Sequence, residues 1–155
     1  MAAANHSFYL RNCYLENNLS RGRMKLGGVR LSLGDIKIPI YNLATREDHI
    51  APARSVFEGS RFFGGKVQFV LAGSGHIAGV VNPPSLNKYQ HWTGGKPAGA
   101  FEDWLDKAAE HRGSWWPHWQ AWIERLGDKR VPARLPGANT AVLGDAPGEY
   151  VKVRV

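Results

Sequence analysis

Apolar and polar positions recur along this chain in a pattern that predicts a mixed α/β fold. Two apolar, β-prone runs, at residues 36–44 and 67–72, flank a segment at 53–63 whose apolar residues have helical spacing. A helix between two strands implies that the strands are parallel neighbours joined by a right-handed crossover. Because Pro39 lacks a backbone N–H, we expect it near the start of its strand or at a sheet edge.

The N-terminal segment predicts a helix followed by a hairpin. Residues 5–19 carry a broad apolar face, with Asn5 or Ser7 available as the N-cap. Residues 24–33 alternate loosely around a Gly–Gly pair, which is typical of a short hairpin or two short strands.

The C-terminal half shows helical rather than strand periodicity. Residues 86–95 predict an irregular, aromatic loop, and residues 101–108 predict a helix that ends before Gly113. Residues 115–126 predict a last helix, capped by Ser114 and with five aromatic or aliphatic positions on one face: Trp115, Trp119, Trp122, Ile123 and Leu126. Residues 128–155 contain several prolines and lack helical periodicity, so we expect an extended tail laid over the body.

Two polar side chains follow the predicted parallel strands at the points where these end. Asp48 lies in the loop after the first strand, and His76 follows the Gly-rich turn at residues 73–75 after the second. In open α/β sheets ligands bind outside the carboxyl ends of the strands. An imidazole titrates near neutral pH, and a nearby carboxylate would fix its tautomer, so the pair predicts a general base with an orienting acid. The residues alone equally allow a structural His76, and an Asp48 that caps the next helix or pairs with Arg46.

Composition and charge limit the classes of protein to which this chain could belong. With 155 residues, of which 43% are hydrophobic and 21% charged, the chain fits one soluble domain. We find no apolar run near the ~20 residues that span a bilayer, and we predict no signal peptide. Cys13 is the one cysteine, which excludes an intrachain disulfide framework and suits a reducing compartment. The net charge of +7 comes from scattered Lys and Arg, which indicates a solvated basic surface or attraction of an anionic substrate such as a coenzyme A thioester. No zinc-ligand spacing or RNA-binding signature is present, so we predict neither a metal nor a nucleic-acid partner.

Several uncommon strings occur in a fixed order along nearly the whole chain: residues 9–11, 14–17, 46–50, 75–84, 113–117 and 146–152. Together they resemble the C-terminal catalytic segment of class I polyhydroxyalkanoate synthases. The resemblance implies the C-terminal part of an α/β-hydrolase fold, namely its last parallel strands with flanking helices in an incomplete sheet. It also implies that residues 1–23 end a cap region, 24–127 carry the acid and base, and 128–155 form the tail.

The resemblance implies an acyltransferase that polymerises 3-hydroxyacyl-CoA into polyester and releases coenzyme A, with no cofactor. Asp48 then matches the acid, His76 the base, and His49 a supporting or structural position. The family's nucleophile is a Cys in a G-x-C-x-G elbow, which this chain lacks: Cys13 lies in a predicted helix, and Ser74 misses G-x-S-x-G by one glycine. We therefore expect a fragment that is inactive alone.

Two other functions stay open at this point. One is a non-catalytic, truncated homologue that binds polyester granules or an intact synthase, and the other is a serine hydrolase of the same fold. The resemblance further implies granule association in the cytoplasm and a homodimer of the full-length enzyme. It leaves the Trp115–Trp122 region with two interpretations, either core or an interface surface.

Overall fold

A helix and a small hairpin form the N-terminal part of the computed structural model, which describes residues 1–127 and 129–154. Helix α1 spans Ala3–Tyr9 and continues as a wider helical turn over Leu10–Leu15. The predicted helix is therefore confirmed only in part: it begins before Asn5, so neither proposed cap applies. It also stops four residues early, where Asn17 adopts a left-handed φ of 47°.

The predicted hairpin is confirmed. Strands β1 (Lys25–Leu26) and β2 (Val29–Arg30) pair antiparallel across Gly27 and Gly28. Both glycines have positive φ, 54° and 81°, a backbone shape that two-residue hairpin turns require and that side chains disfavour. A 3₁₀ turn at Leu33–Asp35 leads into the sheet.

The predicted β-α-β unit is also confirmed. Strand β3 (Ile40–Thr45), helix α2 (Ala53–Gly59) and strand β4 (Val67–Ala72) follow in order, and β3 and β4 are parallel in a register that pairs Thr45 with Ala72. A 3₁₀ turn at Ser60–Phe62 extends α2. Pro39 directly precedes β3, which is an outer strand of the described sheet, so the missing N–H breaks no ladder hydrogen bond there.

The second half of the sheet corrects the sequence analysis. Strand β5 (Gln90–Thr93) lies in the predicted loop, and strand β6 (Ala109–Arg112) lies where the predicted helix should end; helix α3 is confined to Phe101–Leu105. The sheet order is β3-β4-β5-β6, and the last two pairings are antiparallel. The expectation of parallel strands alone is therefore wrong for β5 and β6. These segments form strands because they pair with neighbouring strands of the sheet, which their own sequences do not show.

The core lies on the face of the sheet that α2 and α3 cover. Phe57 of α2 packs edge-to-face on Phe69 of β4, with ring centroids 5.1 Å apart, and Trp104 of α3 packs on Phe69 at 4.9 Å. Leu71 and Trp92 belong to the same cluster, and all five of these side chains are buried. These contacts fix β4 and β5 and thereby the strand ends that carry the polar loops.

Helix α4 (Trp116–Glu124) covers part of the other face. The backbone N–H of Trp116 donates to Ser114 Oγ at 3.1 Å, which confirms the predicted cap. Tyr41 of β3 contacts the helix through the ring of Trp122, 5.4 Å away, and a 2.9 Å hydrogen bond between its hydroxyl and His118 Nδ1. Burial raises the pKa of Tyr41 and lowers the pKa of His118, so this contact is between neutral groups.

The tail is extended but does not pack over the body. Nearly every side chain in residues 129–154 is exposed, including Leu143 at 99% and Tyr150 at 92%. A 3₁₀ turn at Tyr150–Lys152 is its one described regular element. The two ends of the predicted tail, Asp128 and Val155, lie outside the described residues.

Candidate active site

The loops after β3 and β4 are joined side by side. The backbone N–H of Arg46 donates to the carbonyl of Ala72 at 2.8 Å, and that of Glu47 donates to the carbonyl of Ser74 at 3.0 Å. The parallel pairing therefore continues past the strands. Two loops that are 28 residues apart in sequence become neighbours at the carboxyl end of the sheet.

Asp48 and His76 meet at this end. His76 Nδ1 lies 2.8 Å from Asp48 Oδ2, and Thr45 Oγ1 donates to the same oxygen at 3.3 Å. The other carboxylate oxygen, Oδ1, accepts the backbone N–H groups of Ile50 at 2.8 Å and Ala51 at 2.9 Å. Both carboxylate oxygens are thus held, so the geometry favours a fixed acid.

Burial separates the two partners. The Asp48 side chain is 7% exposed, whereas the His76 side chain is 45% exposed. A shielded carboxylate behind an accessible imidazole is the arrangement that lets the ring reach a substrate group while the acid stays in place.

Electrostatics keep the Asp48 carboxylate ionised. The Ala51 N–H, with further help from His76 and the Ile50 N–H, holds the pKa of Asp48 well below its usual range despite desolvation. Asp48 is then an ionised acceptor at neutral pH, so the proton in the contact is carried by His76 Nδ1. In a neutral ring this leaves Nε2 as the unprotonated nitrogen, which is the state of a general base.

Small residues shape the His76 loop. Ser74 has a left-handed φ of 69°. Gly79 is buried, and a Cβ there would lie 2.6 Å from Thr45 Cγ2 and would also overlap the Gly73 carbonyl oxygen. The loop therefore packs directly on the end of β3, which brings His76 to the carboxylate.

The other predicted positions are not part of this contact. His49 is exposed, and among residues 1–127 and 129–154 it has no hydrogen bond to Asp48 or His76. Cys13 is a partly buried free thiol in the helical turn after α1. Ser74 joins the loops through its carbonyl, which gives it a backbone role.

Sequence reasoning missed three side-chain contacts in and beside the pair, made by Thr45, Trp115 and Trp116. Thr45 ends an apolar strand, and a threonine is common at such a position. The one feature of the sequence that could have indicated its contact with Asp48 is their spacing of three residues. The indole N–H groups of Trp115 and Trp116 both donate to the carbonyl of Val80, in the turn that begins at His76. Side-chain contacts over 35 and 36 residues of sequence have no local signature.

Other kinds of site have less support in the described part of the chain. No group of three or more His, Cys, Asp or Glu side chains there could hold a metal ion. A cavity of about 730 Å³ opens at the opposite end of β4, where its lining includes Lys66 and Lys96 but neither Asp48 nor His76. Within the same residues, no helix has the length and apolar character needed to cross a bilayer.

Comparison with known proteins confirms the predicted resemblance. Over 154 residues the chain is 70% identical to the poly(3-hydroxyalkanoate) polymerase subunit PhaC of Rhizobium meliloti (strain 1021), a match that covers 99% of the chain and 25% of that protein. It is 62% identical over 156 residues to the poly(3-hydroxyalkanoate) polymerase of Methylorubrum extorquens, with 99% and 26% coverage. The subunit PhaC of Cupriavidus necator is 42% identical over 152 residues, with 96% and 26% coverage. No protein-family model matches the chain.

The chain thus spans about a quarter of the length of the curated relatives that it matches.

Proposed function

Because nearly the whole chain matches poly(3-hydroxyalkanoate) polymerases, we propose that it is a segment of such an enzyme and supplies the acid–base part of its active site. The single observation that carries this proposal is the 2.8 Å contact of His76 Nδ1 with Asp48 at the ends of two parallel strands. The relatives' name supports a polyester of 3-hydroxy acids as the product class. The proposed reaction is acyl transfer from 3-hydroxyacyl-CoA with release of coenzyme A.

In the proposed mechanism His76 Nε2 removes the proton of a cysteine thiol. The thiolate attacks the thioester carbonyl, and the imidazolium returns the proton to coenzyme A as it leaves. Asp48 stays ionised throughout and stabilises the imidazolium through Nδ1–H. In the next step Nε2 accepts the proton of a 3-hydroxyl group, whose oxygen attacks the carbonyl of the acyl-cysteine thioester. The C–S bond breaks, the imidazolium returns the proton to the released cysteine sulfur, and the new ester bond extends the polyester.

We further propose that the nucleophilic Cys lies in the part of the polymerase that this match does not cover. Cys13 lies in a helical turn and lacks the strand–turn–helix setting of a nucleophile elbow. The β3–α2–β4 unit would then be the last parallel part of an α/β-hydrolase fold. His49 would help to hold the Asp48 loop, and the isolated chain would be inactive.

The proposed partners follow from the same chemistry. The charge of +7 favours approach of the phosphates of coenzyme A, and the substrate itself is the only small molecule that the mechanism needs. Attachment to the polyester granule in the cytoplasm and pairing of whole polymerases into dimers complete the proposal.

A non-catalytic role is the second candidate. The absence of any G-x-C-x-G string in the 155 residues favours a protein that binds granules or an intact polymerase. Retention of the complete Asp48 contact set argues for the catalytic proposal, because a granule-binding surface has no use for a shielded carboxylate behind an accessible imidazole.

A chimera tests the proposal. The matching quarter of the Rhizobium meliloti polymerase is replaced by this chain, and thiol release from 3-hydroxybutyryl-CoA is followed for the chimera, for the chain alone and for a His76→Ala chimera. We expect activity only in the chimera and a loss of about 10²- to 10⁴-fold in His76→Ala. His6→Ala, in exposed α1, is the matched control and should leave the rate unchanged.

Full activity of the His76→Ala chimera would refute the role of His76. Thiol release by the chain alone would instead place the nucleophile within these residues.

A further inference from the structure

Two indole groups converge on one carbonyl in the turn that carries His76. Trp115 Nε1 lies 3.2 Å and Trp116 Nε1 lies 3.0 Å from the carbonyl oxygen of Val80. A carbonyl oxygen has two lone pairs, so this oxygen can accept from both tryptophans at once. We call this pair of donors, Trp115 and Trp116, the Trp clamp.

Backbone hydrogen bonds connect Val80 to the turn that carries His76. The backbone N–H groups of Val80 and Val81 both donate to the carbonyl of Ile77, at 3.1 and 2.8 Å, and the N–H of Gly79 donates to the carbonyl of Gly75 at 2.9 Å. These bonds enclose His76 in one closed turn. A force on the Val80 carbonyl is therefore transmitted to the imidazole.

The other end of the Trp clamp is anchored on the sheet. The N–H of Gly113, next to β6, donates to the carbonyl of Tyr89 at 2.8 Å, and Ser114 caps the backbone N–H of Trp116. The Trp115 ring packs on Tyr41 of β3, with centroids 6.0 Å apart. The clamp thus ties the His76 turn to the same strand whose end carries Asp48.

We propose that Trp115 and Trp116 are positioning residues that hold His76 in register with Asp48. The main alternative is that both indoles only fill space between α4 and the turn. In that case their N–H groups would be replaceable. The meaning of this inference for catalysis rests on the proposed function, but the orientation of His76 can be measured in the chain without any turnover.

Imidazole nitrogen NMR of the 155-residue chain provides the test. In the unsubstituted chain we expect the His76 ring to be in the Nδ1–H tautomer, because Asp48 accepts at Nδ1. Trp115→Phe together with Trp116→Phe keeps two aromatic rings but removes both donors. Each lost bond should raise the fraction of the Nε2–H tautomer by about three- to tenfold. A merely space-filling role would lower stability without moving the tautomer ratio.

The control is Trp119→Phe, on the same helix. Its ring packs on Trp115 at 5.8 Å, but Val80 receives no bond from it among the described residues. Trp119→Phe should leave the His76 tautomer as it is. A folded double variant with an unchanged His76 tautomer would overturn the inference.

A second measurement covers the case in which the double variant does not fold. Hydrogen exchange of the indole N–H groups is compared within the unsubstituted chain. The Trp115 and Trp116 protons should exchange more slowly than that of Trp119, because they are bonded to Val80. Equal exchange rates for all three indole protons would contradict the Trp clamp. If these protons are protected but the unsubstituted chimera has no polymerase activity, only the proposed function is contradicted.

Discussion

Asp48 shows at the scale of single residues how a local sequence orients a carboxylate. Its Oδ1 is satisfied by two backbone N–H groups within three residues, so the carboxylate would be oriented even before His76 arrives. Oδ2 then faces Thr45 and His76. The carboxylate thus orders its own loop and binds the imidazole. The alternative that Asp48 caps the next helix is wrong, because α2 has Pro52 as its N-cap and no side-chain cap hydrogen bond.

The lowered pKa of Asp48 predicts how stability depends on pH. The folded-state pKa lies below the unfolded value of about 3.9, so the ionised carboxylate stabilises the fold above that value. This contribution is lost as the pH falls through the folded pKa. We expect the free energy of unfolding of the unsubstituted chain to exceed that of Asp48→Asn by a constant amount at neutral pH, and the difference to shrink below about pH 4.

Urea unfolding of both proteins between neutral pH and pH 3 measures this difference. Asn keeps one acceptor oxygen for Ile50 and Ala51 but cannot titrate, which makes it the matched variant. A difference that does not change with pH would show that the charge of Asp48 contributes nothing to stability.

The Asp48–His76 contact could be predicted from sequence because it depends on an order that periodicity reveals: strand, acid, helix, strand, His. The helix forces the strands to be parallel, and parallel strands place their following loops together. Thr45 and the Trp clamp could not be found in this way, because a side chain that reaches a remote carbonyl leaves no repeat in the sequence.

At the scale of elements, the His76 turn depends on Gly79. A methyl group there would meet Thr45 Cγ2 at 2.6 Å and the Gly75 carbonyl oxygen at 3.0 Å, and it would also overlap the Gly73 carbonyl oxygen. Backbone atoms cannot rotate away as a side-chain tip does. Gly79→Ala should therefore lower the free energy of unfolding by about 1–3 kcal/mol and displace the turn from β3.

Gly75→Ala is the control for this prediction. Its nearest neighbour would be the Glu47 carbonyl oxygen at 3.9 Å, an ordinary contact. Thermal or urea unfolding of the two variants should separate them clearly. Equal stabilities would mean that the turn can shift to accept the methyl group of Gly79→Ala, and that it is less rigid than described.

Strands β5 and β6 show why elements were missed. Their sequences contain His, Glu and Arg, whose alternation is weak, and they gain their stability across the sheet. His91 and His111 stack with centroids 5.0 Å apart, and Trp92 Nε1 donates to Glu110 Oε2 at 3.1 Å. Cross-strand pairs of this kind depend on the partner strand, so a single window of sequence does not show them.

The whole molecule exposes much more surface than a compact protein of its mass. The accessible area is 11822 Å² for 17.2 kDa. A compact monomer of this mass would expose about 7,800 Å². The excess includes large apolar side chains such as Val131 at 84% and Leu15 at 75%. Apolar surface of this extent favours association with another protein surface.

We therefore expect the isolated chain to associate. Its sedimentation profile and its thermal transition should depend on protein concentration over a range of micromolar values, because association buries exposed apolar area. A sharp, reversible transition at a temperature that does not change with concentration would contradict this prediction.

The central claim is that Asp48 and His76 act as one unit in the polymerase, and a double-mutant cycle tests it most directly. Thiol release from 3-hydroxybutyryl-CoA is measured for the chimera with Asp48→Asn, with His76→Ala and with both. Residues that act as a unit are strongly non-additive, so the double variant should be no slower than His76→Ala alone. Losses that multiply would show that the two side chains act independently and would contradict the account.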